Sequence, residues 1–394
     1  MRFKGAIEDI HLIHGNQRGI EIMNCEYIVF ACEHYNPLGL VRSLGENGIR
    51  PIGIIIKGDP KITSKSKFFK KVHEVDTIEQ GYELIISTYK GNKNKNFLFS
   101  SDDKIETFLD SHYDELKDHF YFFNAGQANR VAYYMNKDNI NTLAKKNGLS
   151  VLPTHVVNKG EIPEDLEYPI ITKVLASTMG AWKNDVYICN NKEELIEAYK
   201  KIESPMLLLQ KYIKKKNEYC MEGFSINHGK EMAITIVSNY NYLLEDQYSP
   251  FMTCKNFDRP DIAEGLKGMI KDIGFEGIFE IEFLIDENDN LYFLEINFRN
   301  STWSYASTRA GMPLPVLWSK YMILNKIDMN CIKEIPKGFT AMVEPQDFKV
   351  RVSTKKVSKI TWLRDLMCAD CRYFLGRRDI RPFLHLLARK IRKN

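Results

Sequence analysis

The sequence predicts an α/β protein in which a doubly wound N-terminal domain precedes a second, α+β domain. Two observations predict this fold class. The apolar run CEYIVFAC (25–32) is followed by a helical pattern and then by RPIGIII (50–56), which is the strand–helix–strand order of a parallel sheet. Much later, GIFEIEFLIDENDNLYFLEINFRN (277–300) places two apolar runs around a polar turn, which is typical of a β-hairpin.

The composition excludes several classes of protein. Of 394 residues, 44% are hydrophobic and 27% are charged, as in ordinary globular chains. No apolar run is long enough to cross a membrane, and the start MRFKGAIEDIHLIHG lacks the apolar segment of a secretory signal. Eight scattered cysteines suit free thiols in a reducing compartment better than a disulfide framework. We therefore expect a cytoplasmic protein.

The N-terminal elements are assigned from residue patterns. NPLG (36–39) predicts a turn, and Gly48 is a natural helix end. Between them a helix is indicated by apolar residues at helical spacing, namely Leu38, Val41 and Leu44. The runs ELIIST (83–88) and NFLFS (96–100) are predicted to continue the sheet. The loop that contains Gly39 lacks a G-x-G-x-x-G motif, so it is only weak evidence for a dinucleotide site.

A second region begins near Met135. Predicted helices are NKDNINTLAKKNGL (136–149), KEELIEAYKKI (192–202) and RPDIAEGLKGMIKDIG (259–274). Predicted strands are YPIITKVLA (168–176), MLLLQKYI (206–213) and NEYCMEGFSI (217–226), followed by the hairpin.

The hairpin carries carboxylates in the middle of its strands. Since alternate residues of a strand share a face, Glu280 and Glu282 lie opposite the apolar residues of the first strand. Glu295, Asn297 and Arg299 do the same in the second strand. The apolar faces are Phe279, Ile281, Phe283 and Ile285, and Tyr292, Leu294, Ile296 and Phe298. If these faces coincide, Glu282 lies opposite Glu295 and Glu280 opposite Asn297, with Cβ atoms ~5 Å apart.

Carboxylates this close favour a cation between them. Mg²⁺ takes oxygen ligands and usually keeps phosphate oxygens among them. Asn297 adds an amide oxygen, and the Arg299 guanidinium can hold an anion beside the metal. The alternative is a solvated hairpin face, but this does not explain charges placed away from the turn.

Lysines and small residues add a candidate phosphate cradle. Lys173 ends a predicted strand, and ASTMGA (176–181) follows it closely. Hydroxyls and backbone N–H groups for phosphate are offered by Ser177, Thr178 and Gly180. Lys137, at the start of a helix, is a second candidate. The alternative for the 176–181 segment is a plain hairpin turn, and the alternative for Lys137 is an ordinary surface lysine.

Taken in order, these motifs resemble the ATP-grasp superfamily. They are Lys137, Lys173 with ASTMGAW, LLLQKYI, NEYCMEG, EIEFLID and FLEINFRNS. The chain looks most similar to the ATP domains of carbamoyl-phosphate synthase and biotin carboxylase, and to D-aspartate-ligase-like carboxylate–amine ligases. This resemblance covers about residues 130–320. It implies a pre-ATP-grasp domain (1–134), a two-lobed ATP-grasp domain (135–345) and a basic helical C-terminal extension (346–394).

The resemblance also implies roles for the matching residues. Lys137 and Lys173 would contact the α- and β-phosphates, and the 176–181 loop would close over the triphosphate. The adenine would be read by the segment Gln210, Lys211, Tyr212 and Ile213, and the ribose would be held by Glu218. Mg²⁺ or Mn²⁺ would be bound by Glu282, Glu295 and Asn297, with Glu280 as an alternative to Glu282. Arg299 and Lys173 would be catalytic, with Arg299 stabilising the transferred phosphoryl group.

The implied activity is an ATP- and Mg²⁺-dependent ligation of a carboxylate to an amine or thiol through an acyl phosphate, releasing ADP and phosphate. An amino acid or a cell-envelope precursor is the expected kind of substrate, and we expect a homodimer that binds no nucleic acid. The segment NSTWSYAST (300–308) lacks the Gln-Val-Glu-His run of biotin carboxylases, which argues against bicarbonate activation. Ser304 and Arg309 are candidates to hold a substrate carboxylate, or else a helix cap and a surface arginine.

Two other functions stay open: an inactive ATP-binding regulatory protein, and a carbamoyl-phosphate-synthase-like enzyme that phosphorylates a small molecule without ligation.

The C-terminal segment is the basic part of the chain. Residues 346–394 carry a net charge of +10, while the other 345 residues carry −6. RYFLGRRDIRPFLHLLARKIRKN (372–394) has an aromatic and leucine face and a basic face. It predicts a helix on an anionic membrane surface or an acidic partner. Packing against its own domain is the favoured alternative. The lone CADC (368–371) is too small a ligand set for zinc.

Overall fold

The structure is a computed structural model, and it describes residues 25–174, 185–244, 248–376 and 378–393, with side chains up to Arg389. Its strands form three sheets, of five, four and seven strands. The predicted phosphate-loop residues Ser177, Thr178 and Gly180 lie outside the described residues.

The N-terminal sheet is parallel, with the strand order β3-β2-β1-β4-β5. Its strands are β1 (Tyr27–Cys32), β2 (Ile52–Ile56), β3 (Lys71–Val75), β4 (Asn96–Ser100) and β5 (Phe120–Tyr121). The accompanying helices are α1 (Tyr35–Gly45), α2 (Ile78–Tyr89), α3 (Asp103–Ser111) and α4 (Tyr113–Leu116). The predicted doubly wound unit is confirmed. The strand order reverses between β1 and β4, and such a switch point opens a crevice beyond the carboxyl ends of the strands.

Two predicted elements of this region are wrong. ELIIST lies in α2 rather than in a strand, since the buried residues of this segment, Tyr82, Ile85 and Tyr89, recur at helical spacing. The Thr77 hydroxyl caps this helix by accepting a hydrogen bond from the Gln80 N–H at 3.2 Å. NPLG is the first turn of α1. Pro37 is tolerated there because the first N–H groups of a helix have no partner within it.

The second sheet is antiparallel, in the order β6-β9-β7-β8. It is preceded by α5 (Arg130–Met135) and α6 (Lys137–Lys146). Its elements are β6 (Thr154–Asn158), β7 (Ile170–Lys173), β8 (Ile188–Cys189), α7 (Lys192–Lys201) and β9 (Met206–Lys211). Leu195, Ala198 and Tyr199 of α7 pack against this sheet. The sheet therefore has a core of its own and carries Lys173 at the end of β7.

The third sheet has the order β14-β13-β10-β11-β12-β15-β16, and its neighbours are antiparallel except for the last pair. Its strands are β10 (Asn217–Ile226), β11 (Glu231–Tyr240), β12 (Phe251–Lys255), β13 (Gly277–Ile285), β14 (Leu291–Asn297), β15 (Phe339–Met342) and β16 (Cys371–Arg372). The helices are α8 (Ala263–Ile273), α9 (Ser304–Arg309), α10 (Leu314–Leu324), α11 (Glu344–Asp347), α12 (Lys359–Cys368) and α13 (Arg381–Lys393). Part of the basic C-terminal segment is thus a strand of the main sheet.

Single-turn elements complete the described secondary structure. They are the 3₁₀ helices Thr63–Lys65, Pro260–Ile262 and Met329–Cys331, and a π-helical turn at Phe348–Val352. No helix among the described residues has both the length and the hydrophobicity needed to span a bilayer.

The predicted hairpin register is confirmed. Glu282 pairs with Glu295, and Glu280 pairs with Asn297. Beyond this point Phe283 pairs with Phe293, so Leu294 is the extra residue of a β-bulge. Consequently Phe293 is buried in the core, whereas Leu294, predicted on the apolar face, lines the cleft described below. Strict alternation had no means of showing this shift.

One core joins the N-terminal sheet to the seven-stranded sheet. Trp318 of α10 is fully buried, and its ring centroid lies 5.8, 5.5 and 5.0 Å from those of Phe97, Phe99 and Phe123. The same cluster of buried residues includes Phe283 and Phe293 of the hairpin. Packing therefore sets the position of the hairpin relative to β1 and β4.

Candidate active site

A cleft of about 1520 Å³ lies between the three sheets. Its floor is the polar face of the β13–β14 hairpin. One wall is formed by the residues after β1 and β4, at the switch point of the parallel sheet, and includes 33–37 and 101–103. The opposite wall includes Lys173 and the segment 210–213. The fold therefore brings the described candidates for nucleotide and metal binding, from Lys137 to Arg299, into one cavity.

The floor gathers the predicted metal ligands. The Asn297 side-chain amide donates to Glu280 at 3.0 Å and to Glu282 at 3.2 Å. Lys137 Nζ lies 2.8 Å from Glu295 Oε2. Asn297 is therefore within reach of both Glu280 and Glu282, and the choice between them as the metal ligand stays open.

The electrostatics of the floor favour a bound cation. Burial, and then the neighbouring Glu280, raise the pKa of Glu282 well above its usual range. Burial and then Glu222 do the same to the pKa of Glu280. In contrast, the Lys137 ammonium lowers the pKa of Glu295. A divalent cation would offset this crowding of acids, just as Lys137 does at Glu295.

The donor set fits magnesium. Glu282 and Glu295 offer carboxylate oxygens, which are the ligands of a hard cation. Asn297 would add its amide oxygen once its side-chain amide turns over, because here its NH2 group faces the acids and its Oδ1 accepts from Arg299. The Cys220 thiol also lies near, since ligand atoms of Glu218, Cys220 and Glu282 are within 4.8 Å of one another. Magnesium prefers oxygen over sulfur, so the carboxylates rather than this thiol would hold it.

Two lysines face the floor from different elements. Lys137 is the first residue of α6, and the side chain of Asn136 caps that helix. Lys173 Nζ donates to Gln210 Oε1 at 2.8 Å. Burial, followed by repulsion from Lys137, lowers the pKa of Lys173 to about 8. A polyanion bound between the two ammonium groups would favour the protonated form of Lys173, which burial disfavours.

The segment after β9 is held in place by its backbone. The N–H groups of Lys211 and Tyr212 donate to the carbonyls of Pro153 and Pro169 at 2.8 and 2.9 Å. Ile213 follows them and lines the cleft. The buried side chain of Gln210 has another role, since it positions Lys173. Sequence reasoning did not assign that contact.

Glu218 also has partners that the sequence analysis missed. Its carboxylate accepts hydrogen bonds from Lys215 Nζ at 2.6 Å and from the Tyr240 hydroxyl. Lys215 adds another cation to this end of the cleft. Lys215 lies in the middle of three lysines directly before β10, and this was a weak sequence signal that it contacts the site.

Arg299 connects the hairpin to the N-terminal domain. Its Nε donates to Asp103 Oδ1 at 2.5 Å, and its Nη2 donates to Asn297 Oδ1 at 3.2 Å. Asp103 is the first residue of α3, just after β4. The sequence signal for Asp103 is the acidic pair Asp102 and Asp103, which closely follows the apolar run NFLFS.

Glu222 is a further buried carboxylate that sequence reasoning missed. It accepts hydrogen bonds from the hydroxyls of Ser301 and, at 2.6 Å, Ser304. Burial raises its pKa to about 7. The two residues proposed to hold a substrate carboxylate are engaged elsewhere: Ser304 with Glu222, and Arg309 with Glu46 at 3.3 Å. Neither is among the cleft-lining residues.

Residues 130–321 match the family model described as "Carbamoyl-phosphate synthase L chain, ATP binding domain". The chain is 26% identical over 241 residues to the 2-oxoglutarate carboxylase small subunit of Hydrogenobacter thermophilus, covering 57% of this chain and 46% of that protein. It is 31% identical over 140 residues to N5-carboxyaminoimidazole ribonucleotide synthase of Staphylococcus aureus, covering 34% of this chain and 35% of that one. The matches thus span less than half the length of these relatives.

Solved structures share the fold at low sequence identity. Staphylococcus aureus N5-carboxyaminoimidazole synthetase complexed with ADP has a TM-score of 0.65 and 16% identity, over 84% of this chain and 87% of that chain. L-amino acid ligase from Bacillus licheniformis has a TM-score of 0.62 and 14% identity, over 82% of this chain and 80% of that chain. The biotin carboxylase domain dimer of Hydrogenobacter thermophilus 2-oxoglutarate carboxylase was solved with MgADP. It has a TM-score of 0.60 and 17% identity, over 78% of this chain and 72% of that chain.

Proposed function

We propose that this protein, in which residues 130–321 form an ATP-grasp domain of the carbamoyl-phosphate synthase L chain type, is an ATP-dependent ligase that joins a carboxylate to an amine. One observation carries the proposal: oxygen ligands, two lysines and an arginine face one cleft that also reaches the switch point of the parallel sheet. ATP would transfer its γ-phosphoryl group to a carboxylate oxygen and leave as ADP. An amine, or a thiol, would then displace phosphate from the acyl phosphate.

The chain's own residues would bind and orient the nucleotide. Lys137 and Lys173 would hold the α- and β-phosphates, and Lys211 to Ile213 would line the adenine site. Glu218 would accept hydrogen bonds from the ribose. Mg²⁺ held by Glu282, Glu295 and Asn297 would neutralise charge on the phosphates. The 176–181 loop, with Ser177, Thr178 and Gly180, stays a prediction for closure over the triphosphate.

Arg299 would stabilise the phosphoryl group in transfer. It follows Asn297 by two residues and turns toward the N-terminal wall, where Asp103 holds its guanidinium. Positioned charge of this kind lowers the barrier because it requires no reorganisation during the reaction. The acceptor carboxylate would therefore lie between Arg299 and the residues that follow β1 and β4.

The relatives support an ATP-dependent ligase without naming the substrate. Among the solved relatives are an L-amino acid ligase, an N5-carboxyaminoimidazole synthetase and the biotin carboxylase domain of a 2-oxoglutarate carboxylase. The missing Gln-Val-Glu-His run after Arg299 supports an organic acceptor over bicarbonate. An amino acid or a cell-envelope precursor is the kind of substrate we propose. One relative was solved as a dimer, which supports a homodimer here.

The reaction is tested by measuring ADP release with MgATP across a matrix of carboxylates and amines that includes bicarbonate. We expect ADP and phosphate only when both substrates are present, with an amide product detected by mass spectrometry. Turnover with a single substrate would instead indicate phosphorylation without ligation. AMP and pyrophosphate would contradict the proposal, and binding of ATP without any turnover would indicate a regulatory protein.

The low pKa of Lys173 predicts a pH dependence of ATP binding. Below pH about 8 the apo protein carries a protonated Lys173, and above it this charge is lost. Because triphosphate favours the ammonium form, ATP binding above pH 8 should take up a proton and should weaken as the pH rises. Isothermal titration calorimetry in two buffers of different ionisation enthalpy measures the uptake. Lys173→Arg, which stays charged, is the control, and the same uptake in both proteins would refute the assignment.

A further inference from the structure

The helix α12 exposes an apolar stripe to solvent. Ile360, Leu363 and Met367 are 83%, 52% and 70% exposed and recur at the spacing of one helix face. Trp362 and Leu366 of the same helix pack against Met342 of β15. The helix is therefore anchored to the protein by one apolar face and presents a second apolar face outward.

The helix α13 has the same character. Phe383 and Leu386 pack against the second core cluster, so the predicted packing of this helix on its own domain is present. Leu384 and Leu387 nevertheless remain 51% and 46% exposed, and Ile380 just before the helix is 41% exposed. An ordinary terminal helix would point charged residues rather than leucines to solvent.

Basic residues lie beside the α12 stripe and are frequent in the sequence of α13. Lys355, Lys356, Lys359 and Arg364 are exposed beside or within the α12 stripe. Residues 381–393 contain five Lys and Arg and no acid. Across 346–394 the net charge is +10, against −6 for the other residues, so this segment is positive within a chain that is otherwise mildly negative.

We propose that α12 and α13 dock this protein on the surface of an anionic lipid bilayer. The exposed aliphatic side chains would enter the headgroup region, and the lysines and arginines would meet the lipid phosphates. An anionic bilayer suits this segment because it offers both things the segment needs: lipid phosphates for its net charge of +10, and an apolar layer beneath them for the exposed Ile, Leu and Met side chains. A second copy of the segment would be repelled by its like charge. This inference does not depend on the proposed ligase activity.

The test is co-sedimentation of the full-length protein with vesicles of phosphatidylcholine, with and without phosphatidylglycerol. We expect binding only with phosphatidylglycerol, and weaker binding as salt is raised. The double variants I360D/M367D and L384D/L387D should each lower the binding by about tenfold or more, since each removes apolar area from the contact. Hydrogen exchange of the wild-type protein should show added protection of 355–368 and 381–393 on the vesicles.

The matched control is I196D/M329D, which makes the same two changes at exposed positions elsewhere (43% and 57% exposed) and should bind as wild type does. The proposal is overturned if wild type does not bind, if neither stripe variant lowers binding, or if the control lowers it equally. Equal affinity for soluble polyglutamate would also overturn it in favour of an acidic partner. A stripe variant that converts a dimer to a monomer without lipid would instead assign the face to a second copy.

Discussion

Glu295→Gln should abolish turnover while leaving the protein folded. Glu295 lies on the cleft floor beside Lys137 at 2.8 Å and opposite Glu282 in the hairpin. The amide keeps the shape of the side chain but removes the negative charge that a divalent cation would need. Because even outer-sphere changes at metal sites cost about 10- to 100-fold, we expect ADP release to fall by more than about 100-fold.

The control for this prediction is Glu287→Gln in the turn of the same hairpin. Glu287 forms a surface ion pair with Lys214, so its loss should leave turnover unchanged. The urea midpoint of Glu295→Gln should stay close to that of wild type, since losing the Lys137 contact is offset by relief of repulsion at Glu282. A Glu295→Gln protein with wild-type turnover would eliminate this residue as a metal ligand.

Asp379→Ala should strongly destabilise the protein. The Arg42 side chain donates from Nε to Asp379 Oδ2 at 3.2 Å, and both side chains have an exposure of 0%. Asp379 also accepts hydrogen bonds from Ser66 Oγ at 2.8 Å and from the Lys67 N–H at 3.0 Å. Removing the carboxylate leaves a buried guanidinium without its counter-charge, which costs about 3–5 kcal/mol in the free energy of unfolding. Urea denaturation measures the loss.

Asp76→Ala is the matched control, because Asp76 pairs with Lys57 at 2.7 Å with side chains 61% and 51% exposed. That change should cost about 1 kcal/mol or less. Combining Asp379→Ala with Arg42→Met should recover part of the lost stability, since no buried charge is then left unpaired. If both aspartate variants unfold at the same urea concentration, the buried pair does not stabilise the fold. The pair also implies that truncation before Asp379 would cost folded protein.

The sequence was sufficient for features that depend on neighbouring residues. Alternation of Phe279, Ile281 and Phe283 with Glu280 and Glu282 predicted the strand, its polar face and the register across the hairpin, because side chains of a strand alternate between faces. The motif order predicted the match of residues 130–321 to the carbamoyl-phosphate synthase ATP-binding domain. Local pattern failed at ELIIST, where a short apolar run suits a strand or a buried helix equally well.

Only the tertiary structure decided which distant groups meet. Arg299 contacts Asp103, a residue 196 positions away, and Arg42 is paired by Asp379 from the other end of the chain. The bulge at Leu294 and the serines around Glu222 also appeared only in three dimensions. Such contacts depend on how the sheets and helices pack against one another, and no spacing along the chain encodes that packing. The sequence by itself therefore determined the polar face of the hairpin and predicted which groups would do phosphate chemistry, and the fold decided their partners, because hydrogen bonds and ion pairs form between neighbours in space.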